Sequence, residues 1–201
     1  MNKDFELTDE QSLRDLQSYL SRAKRLDPDG LVRLRAYGNV LAAYVAPLFS
    51  GSVLDGGLTV IGLRTTELAA EAEVDRLVSI SSVLDRLARV LESSTTEYRV
   101  EVPEAGQRAA WAGISPPRSG WVAGGVIDEA ELTALARAGI QEVADTLPAS
   151  VGGPIAARIR QEIWGRGIEQ DTRIPTGAAF VAAGLGFMTE KEQVSIYFAD
   201  N

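Results

Sequence analysis

The sequence predicts an α+β protein: a mostly antiparallel sheet with flanking helices, followed by a small, mainly helical C-terminal subdomain. Three observations predict it. Apolar residues recur every three or four positions near the start and through the last third, as helices require. Between these regions lie runs in which apolar and polar residues alternate, as half-buried strands do. A stretch dense in Gly, Pro and Trp then separates the two regimes.

The first helix begins at Thr8, which with Gln11 has the spacing of a capping box, and Leu7 can staple its start. Leu13, Leu16, Leu20 and Ala23 fall on one face, and Asp27-Pro28-Asp29-Gly30 is a stop. A hairpin is expected around Gly38-Asn39, which suits a two-residue turn. Its register would place Arg33 opposite Tyr44, Arg35 opposite Ala42 and Tyr37 opposite Val40. Val32, Leu34, Ala36, Leu41, Ala43 and Val45 would form the dry face. Further strands are expected at 58–66, 73–79 and 96–102, with a short helix over 81–91 that turns Val83, Leu84, Leu87 and Leu91 inward.

The second regime starts with helix 129–147, capped by Asp128, with Leu132, Leu135, Ile140, Val143 and Leu147 toward a core. Pro154 and Gly165 bracket another helix, with Ile155, Ile159 and Ile163 inside. A third covers 176–185, and a strand from Val194 to Phe198 follows. The expected organisation is a sheet domain over 1–110, a Trp/Pro/Gly linker over 111–125 and a helical subdomain over 126–201.

Composition narrows the chemistry. The 201 residues include no histidine and no cysteine, which removes Ser-His-Asp and Cys-His hydrolysis, disulfide scaffolds and zinc fingers. The net charge is −8, with 12 basic against 16 acidic side chains in residues 1–102 and 8 against 12 in the remainder. Neither half offers the broad basic surface that phosphate neutralisation needs, so nucleic acid is not an expected partner. The polar N-terminus has no apolar signal-peptide core, and the two long uncharged stretches, 36–54 and 174–189, are too interrupted by Gly, Asn, Pro, Ser and Thr to make a membrane span. A cytoplasmic location without membrane contact is the expectation.

Motifs with catalytic precedent fall away one by one. Ser21-x-x-Lys24 has the spacing of penicillin-recognising enzymes but lacks their Ser-Asp-Asn and Lys-Thr-Gly partners. The glycine clusters at 51–57, 124–125, 152–153 and 165–167 match no phosphate-binding pattern. Glu67/Glu71/Asp75, Asp128/Glu129/Glu131 and Glu169/Asp171 have carboxylates for a hard cation but no EF-hand spacing. No metal and no cofactor are expected.

Two features point to binding instead. Arg33, Arg35, Tyr37 and Tyr44 share the wet face of the expected hairpin, where guanidinium groups could grip an anion or stack on a ring. Trp111, Pro116, Pro117, Arg118 and Trp121 combine a polyproline-prone stretch with the residue types favoured as interface anchors.

Leu26–Arg35, Val60–Arg64 and Trp111–Trp121 carry a resemblance, joined by Ile163-Trp164-Gly165, Pro175–Phe180 and Leu185-Gly186-Phe187. In these runs the chain resembles a family of uncharacterised actinobacterial proteins. The excess of Arg over Lys, 17 to 3, suits a GC-rich genome. The resemblance implies no activity and no catalytic residues. The sequence therefore leads to a non-catalytic module that binds itself, as a homodimer, or another protein. Two alternatives stand beside it. One is a small-molecule binder or enzyme with Arg and carboxylate groups in a cleft between the two parts. The other is a nucleic-acid-associated regulator with a winged-helix-like C-terminal part, against which the apolar third helix argues.

Overall fold

The computed structural model describes residues 3–50, 57–93, 96–104, 106–148, 150–169, 171–188 and 193–199. The protein is α+β, and the chain divides into two compact units. The first comprises Met1–Pro47 and Ile61–Ala112; the second comprises Leu48–Val60 and Gly113–Asn201.

The first unit opens with a strand, β1 (Asp4–Leu7), which sequence pattern alone misses because two of its four residues are acidic. It pairs antiparallel with β4 (Tyr98–Glu101) from Asp4↔Glu101 to Leu7↔Tyr98, and with β3 (Val60–Ser79) at Leu7↔Leu68. With β2 (Leu31–Leu48) these strands form a four-stranded sheet in the order β2-β3-β1-β4. Helix α1 (Glu10–Leu26) is capped one residue later than expected. The Asp9 carboxylate accepts from Ser12 N–H at 2.6 Å, while the Thr8 hydroxyl lies against that of Ser12 at 3.1 Å. A carboxylate outcompetes a hydroxyl there because it also opposes the helix dipole. Leu13, Leu16, Tyr19, Leu20 and Ala23 are buried as one stripe, and each fully buried leucine contributes about 1.5–3 kcal/mol. Helix α2 (Ile80–Glu92) buries Ile80, Val83 and Leu87.

The expected hairpin takes another form. Strand geometry continues through Gly38-Asn39, so Leu31–Leu48 is a single strand. Its buried positions change from even (Val32, Leu34, Ala36) to odd (Leu41, Ala43, Val45) across this point. A period-2 element can change phase only by an irregular residue, and Gly38 supplies it at φ 61°, where a side chain is disfavoured. The two separately expected strands at 58–66 and 73–79 likewise belong to one strand, β3.

The second unit is built on β5 (Trp121–Asp128), paired antiparallel with β6 (Gln193–Ala199). Between them in sequence lie α3 (Glu129–Thr146), α4 (Gly153–Trp164) and α5 (Thr176–Leu185). Ile127, Leu132, Ala136, Ile168 and Ala179 form a core cluster, with Leu135, Ile174, Met188, Val194 and Ile196 packed against it. Trp164 stacks on Phe180 with ring centroids 4.6 Å apart. Two expected inward residues, Ile140 on α3 and Ile155 on α4, are exposed instead. The α3 stripe runs through Leu132, Ala136 and Gly139, where the Trp164 ring closely approaches the backbone, and Ile140 is left at its margin. Among the described residues no helix is long and apolar enough to cross a membrane. The Gly51–Gly56 part of the expected glycine loop lies outside the described residues.

A Cβ built on Gly139 would sit 2.2 Å from the Trp164 ring. Helix propensity alone would make Gly139→Ala stabilising by about 1 kcal/mol. We expect packing to win, with a net loss of roughly 1–3 kcal/mol in urea unfolding, because a buried, stacked indole cannot give way cheaply.

Candidate functional site

The arginine-tyrosine face of the first unit is occupied by the protein itself. Arg33 donates from Nε and Nη2 to the two carboxylate oxygens of Asp75, each at 2.7 Å. Its Nη1 donates to the Ala112 carbonyl at 2.7 Å. The Arg33 side chain is only 17% exposed, and Arg35 stands 3.9 Å from the same carboxylate. The hydrogen-bonded Arg33 fork holds the Asp75 carboxyl below the usual carboxylate range, and Asp75 in turn raises Arg33. Tyr44 lies close enough to add the smallest contribution to that rise.

This geometry is that of a clamp. Ala110–Gly113 form one turn of 3-10 helix in which Trp111 is buried, and Arg33 fastens that turn to the sheet through Ala112. Three N–H groups of the guanidinium are spent on protein acceptors, which favours a structural role for Arg33 over ligand binding. Arg64 pairs with Asp15 at 3.0 Å.

Tyr37 is 74% exposed and borders an open groove of about 450 Å³ together with Gly38, Glu71, Ala72 and Glu73. Among the described residues the groove has two carboxylates and no basic side chain, so it is not an arginine-lined cleft. Of the candidate cation ligands, Asp75 is engaged by Arg33, and Asp171 is held by Arg173 at 2.6 Å. Among the described residues no three His, Cys, Asp or Glu side chains come together to hold a metal ion.

The Trp/Pro segment divides between the two units. Trp111 belongs to the first, while Pro116, Pro117, Arg118 and Trp121 belong to the second. Trp121 Nε1 donates to the Pro117 carbonyl at 2.9 Å, so the diproline stretch folds back to hold the indole. Arg118 is exposed. Residues 121–125, assigned to a linker by their glycines, are the first part of β5. Gly124 marks a bulge in the pairing and lies beneath the Phe198 ring. Arg173 covers that ring with its guanidinium 3.7 Å from the centroid.

Pairing with β6 gives this ribbon two unlike faces. Ile127, Val194 and Ile196 point to the core. The other face carries the cross-strand pairs Trp121↔Ala199, Ala123↔Tyr197, Val126↔Ser195 and, at its end, Asp128↔Gln193. On it Trp121 is 47%, Val126 56% and Tyr197 55% exposed, while Val122, opposite Phe198, is exposed on the reverse face at the ribbon's end. Sequence reasoning found Trp121 but missed its neighbours. The signal was there, in the alternation of Gln193–Ala199, but nothing local says which strand pairs with it. Contiguous large apolar side chains on a surface mark interaction sites.

Residues 1–113 match the family described as Domain of unknown function (DUF8010), and residues 116–201 match Domain of unknown function (DUF8185). The matches meet where the first unit ends, at Ala112. No curated protein and no solved structure matches the chain.

The Arg33–Asp75 clamp has a pH signature. A carboxyl with a depressed folded-state pKa contributes stability above its unfolded value, about 3.9, and loses it as pH falls through the folded value. Asp75 is partly exposed, so screening limits the contribution to about 1 kcal/mol. Asp75→Asn should cost about that much at pH 7 and almost nothing near pH 2, measured by denaturant unfolding at both pH values.

Proposed function

This chain belongs to the DUF8010 family, and we propose that it is a non-catalytic protein-interaction module whose contact element is the β5–β6 ribbon of its second unit. The observation that carries the reading is the ribbon's outer face, where Trp121, Val126 and Tyr197 each stand about half exposed on a rigid, hydrogen-bonded frame. Strand-borne aromatic side chains lose little conformational freedom on binding, which is why Trp and Tyr dominate interface energetics. The Trp121–Pro117 hydrogen bond adds to this by fixing the indole before any partner arrives.

The arrangement of the arginines supports the same reading. Arg33 and Arg64, the groups best suited to an anionic ligand, are already engaged by Asp75 and Asp15. The absence of histidine and cysteine leaves the chain without the commonest general base and thiol nucleophile.

The reading predicts that a photo-crosslinking amino acid placed at Tyr197 captures a discrete protein adduct in living cells. The same probe at Arg25, an exposed position on α1, should capture none. Absence of any adduct at position 197, with the variant folded and expressed, would remove the proposal.

A further inference from the structure

We infer that the partner of the ribbon is a second copy of this chain, packed face to face about a two-fold axis. The inference rests on the reading of the ribbon as a contact element and adds the identity of what it contacts.

The first argument is shape. Four cross-strand pairs lie on the outer face, and the three beyond the terminal Asp128↔Gln193 each join one large residue to one small one, with the large member alternating between strands. Trp121 faces Ala199, Tyr197 faces Ala123, and Val126 faces Ser195. The face is therefore a zigzag of three knobs and three hollows. Rotated by 180° onto a copy of itself, such a surface can seat each knob in a hollow of its mate, as the inner faces of stacked sheets interdigitate.

Charge is the second argument. The chain carries a net charge of −8, so two copies repel at most approaches. Six of the eight residues paired on the outer face bear no charge, and the remaining pair is Asp128 and Gln193 at one end, so Asp128 is the one side chain of both strands charged at neutral pH. A face whose charge is confined to one end is where two copies of an acidic chain meet with little electrostatic cost. A basic partner would find a single acidic anchor there, away from the aromatic knobs.

Area sets the strength. A buried Trp or Tyr contributes roughly 150–250 Å². Two half-exposed rings with the half-exposed Val126 thus offer roughly 250–300 Å² per copy, and about 550–850 Å² for the pair with its small residues and backbone. That lies below the roughly 1,200–2,000 Å² of stable complexes. The dimer is accordingly weak and concentration-dependent, with a dissociation constant on the order of tens of micromolar.

Sedimentation velocity of the full chain from about 2 to 500 μM tests this. The expected result is a rise from monomer to twice the monomer mass. Val126→Asp, which places a charge on the face, and Tyr197→Ala, which removes a knob, should each shift the midpoint at least tenfold higher. Both positions are exposed, and unchanged far-ultraviolet circular dichroism with a cooperative thermal transition would show that the variants are folded. Ile155→Asp, at an exposed apolar position on α4, should leave the midpoint unchanged. A wild-type chain that stays monomeric throughout overturns the inference, as does a dimer indifferent to Val126→Asp and Tyr197→Ala. Monomeric protein whose position-197 adduct contains a different polypeptide would overturn self-association alone and leave the interaction reading standing.

Discussion

Much of the first unit follows from the requirement that one face of β2 stay dry over residues 32–36 and 41–45, on either side of its exposed middle. Val32, Leu34 and Ala36 meet it before Gly38, and Leu41, Ala43 and Val45 meet it afterwards. The phase change at Gly38 decides what the other face carries. Arg33 and Arg35 lie on it before the change, and Ala42 and Tyr44 lie on it after. The Arg33–Asp75 pair and its hold on Ala112 are therefore secondary to the burial pattern, because the dry residues fix the direction in which Arg33 points. On the core side, Tyr19 shows the same dependence. Its ring is buried with the α1 leucines and its hydroxyl donates to the Ala43 carbonyl at 3.4 Å. Burial raises its pKa, so the phenol stays neutral.

The second unit obeys a different constraint, which is close approach. Gly139 admits the Trp164 ring, Gly124 lies under Phe198, and a side chain on Gly177 would meet Leu48 and Leu58 at 2.9 Å. Small residues at these points let large aromatic and aliphatic groups pack against backbone. The price of that economy is that fewer large residues are needed inside, and some remain outside. Ile140, Ile155 and the outer face of the ribbon are what is left over.

The fold class was legible because alternation and helical periodicity are both strong in this chain. The faces of β2 were legible for a subtler reason. A two-residue hairpin turn and a phase shift within one strand produce the same binary pattern, so the wet and dry sets could be read correctly while the path of the backbone could not. The sheet partner of Arg33 was hidden, because Asp75 is 42 residues distant and nothing local marks it as a neighbour. Asp75 stood out only as one of three spaced acids. At the other end of the chain, Gly124-Gly125 read as punctuation, and this concealed a strand whose bulge requires glycine beneath an aromatic ring. Ile140 and Ile155 had the right spacing for a core, but tertiary packing chose Ala136, Ala156 and Trp164 in their stead.

The second unit draws Leu48–Val60 from the first half of the chain, where Gln161 accepts from the Leu58 N–H at 2.8 Å and Leu48 and Leu58 border Gly177. This has a consequence for biosynthesis. A ribosome releases residues 48–60 long before the helices that receive them exist. The first unit can close once residue 112 has emerged, but it must do so around a segment that belongs to the second. Leu48 and Leu58 then wait through the synthesis of about a hundred residues, as apolar side chains exposed on the nascent chain.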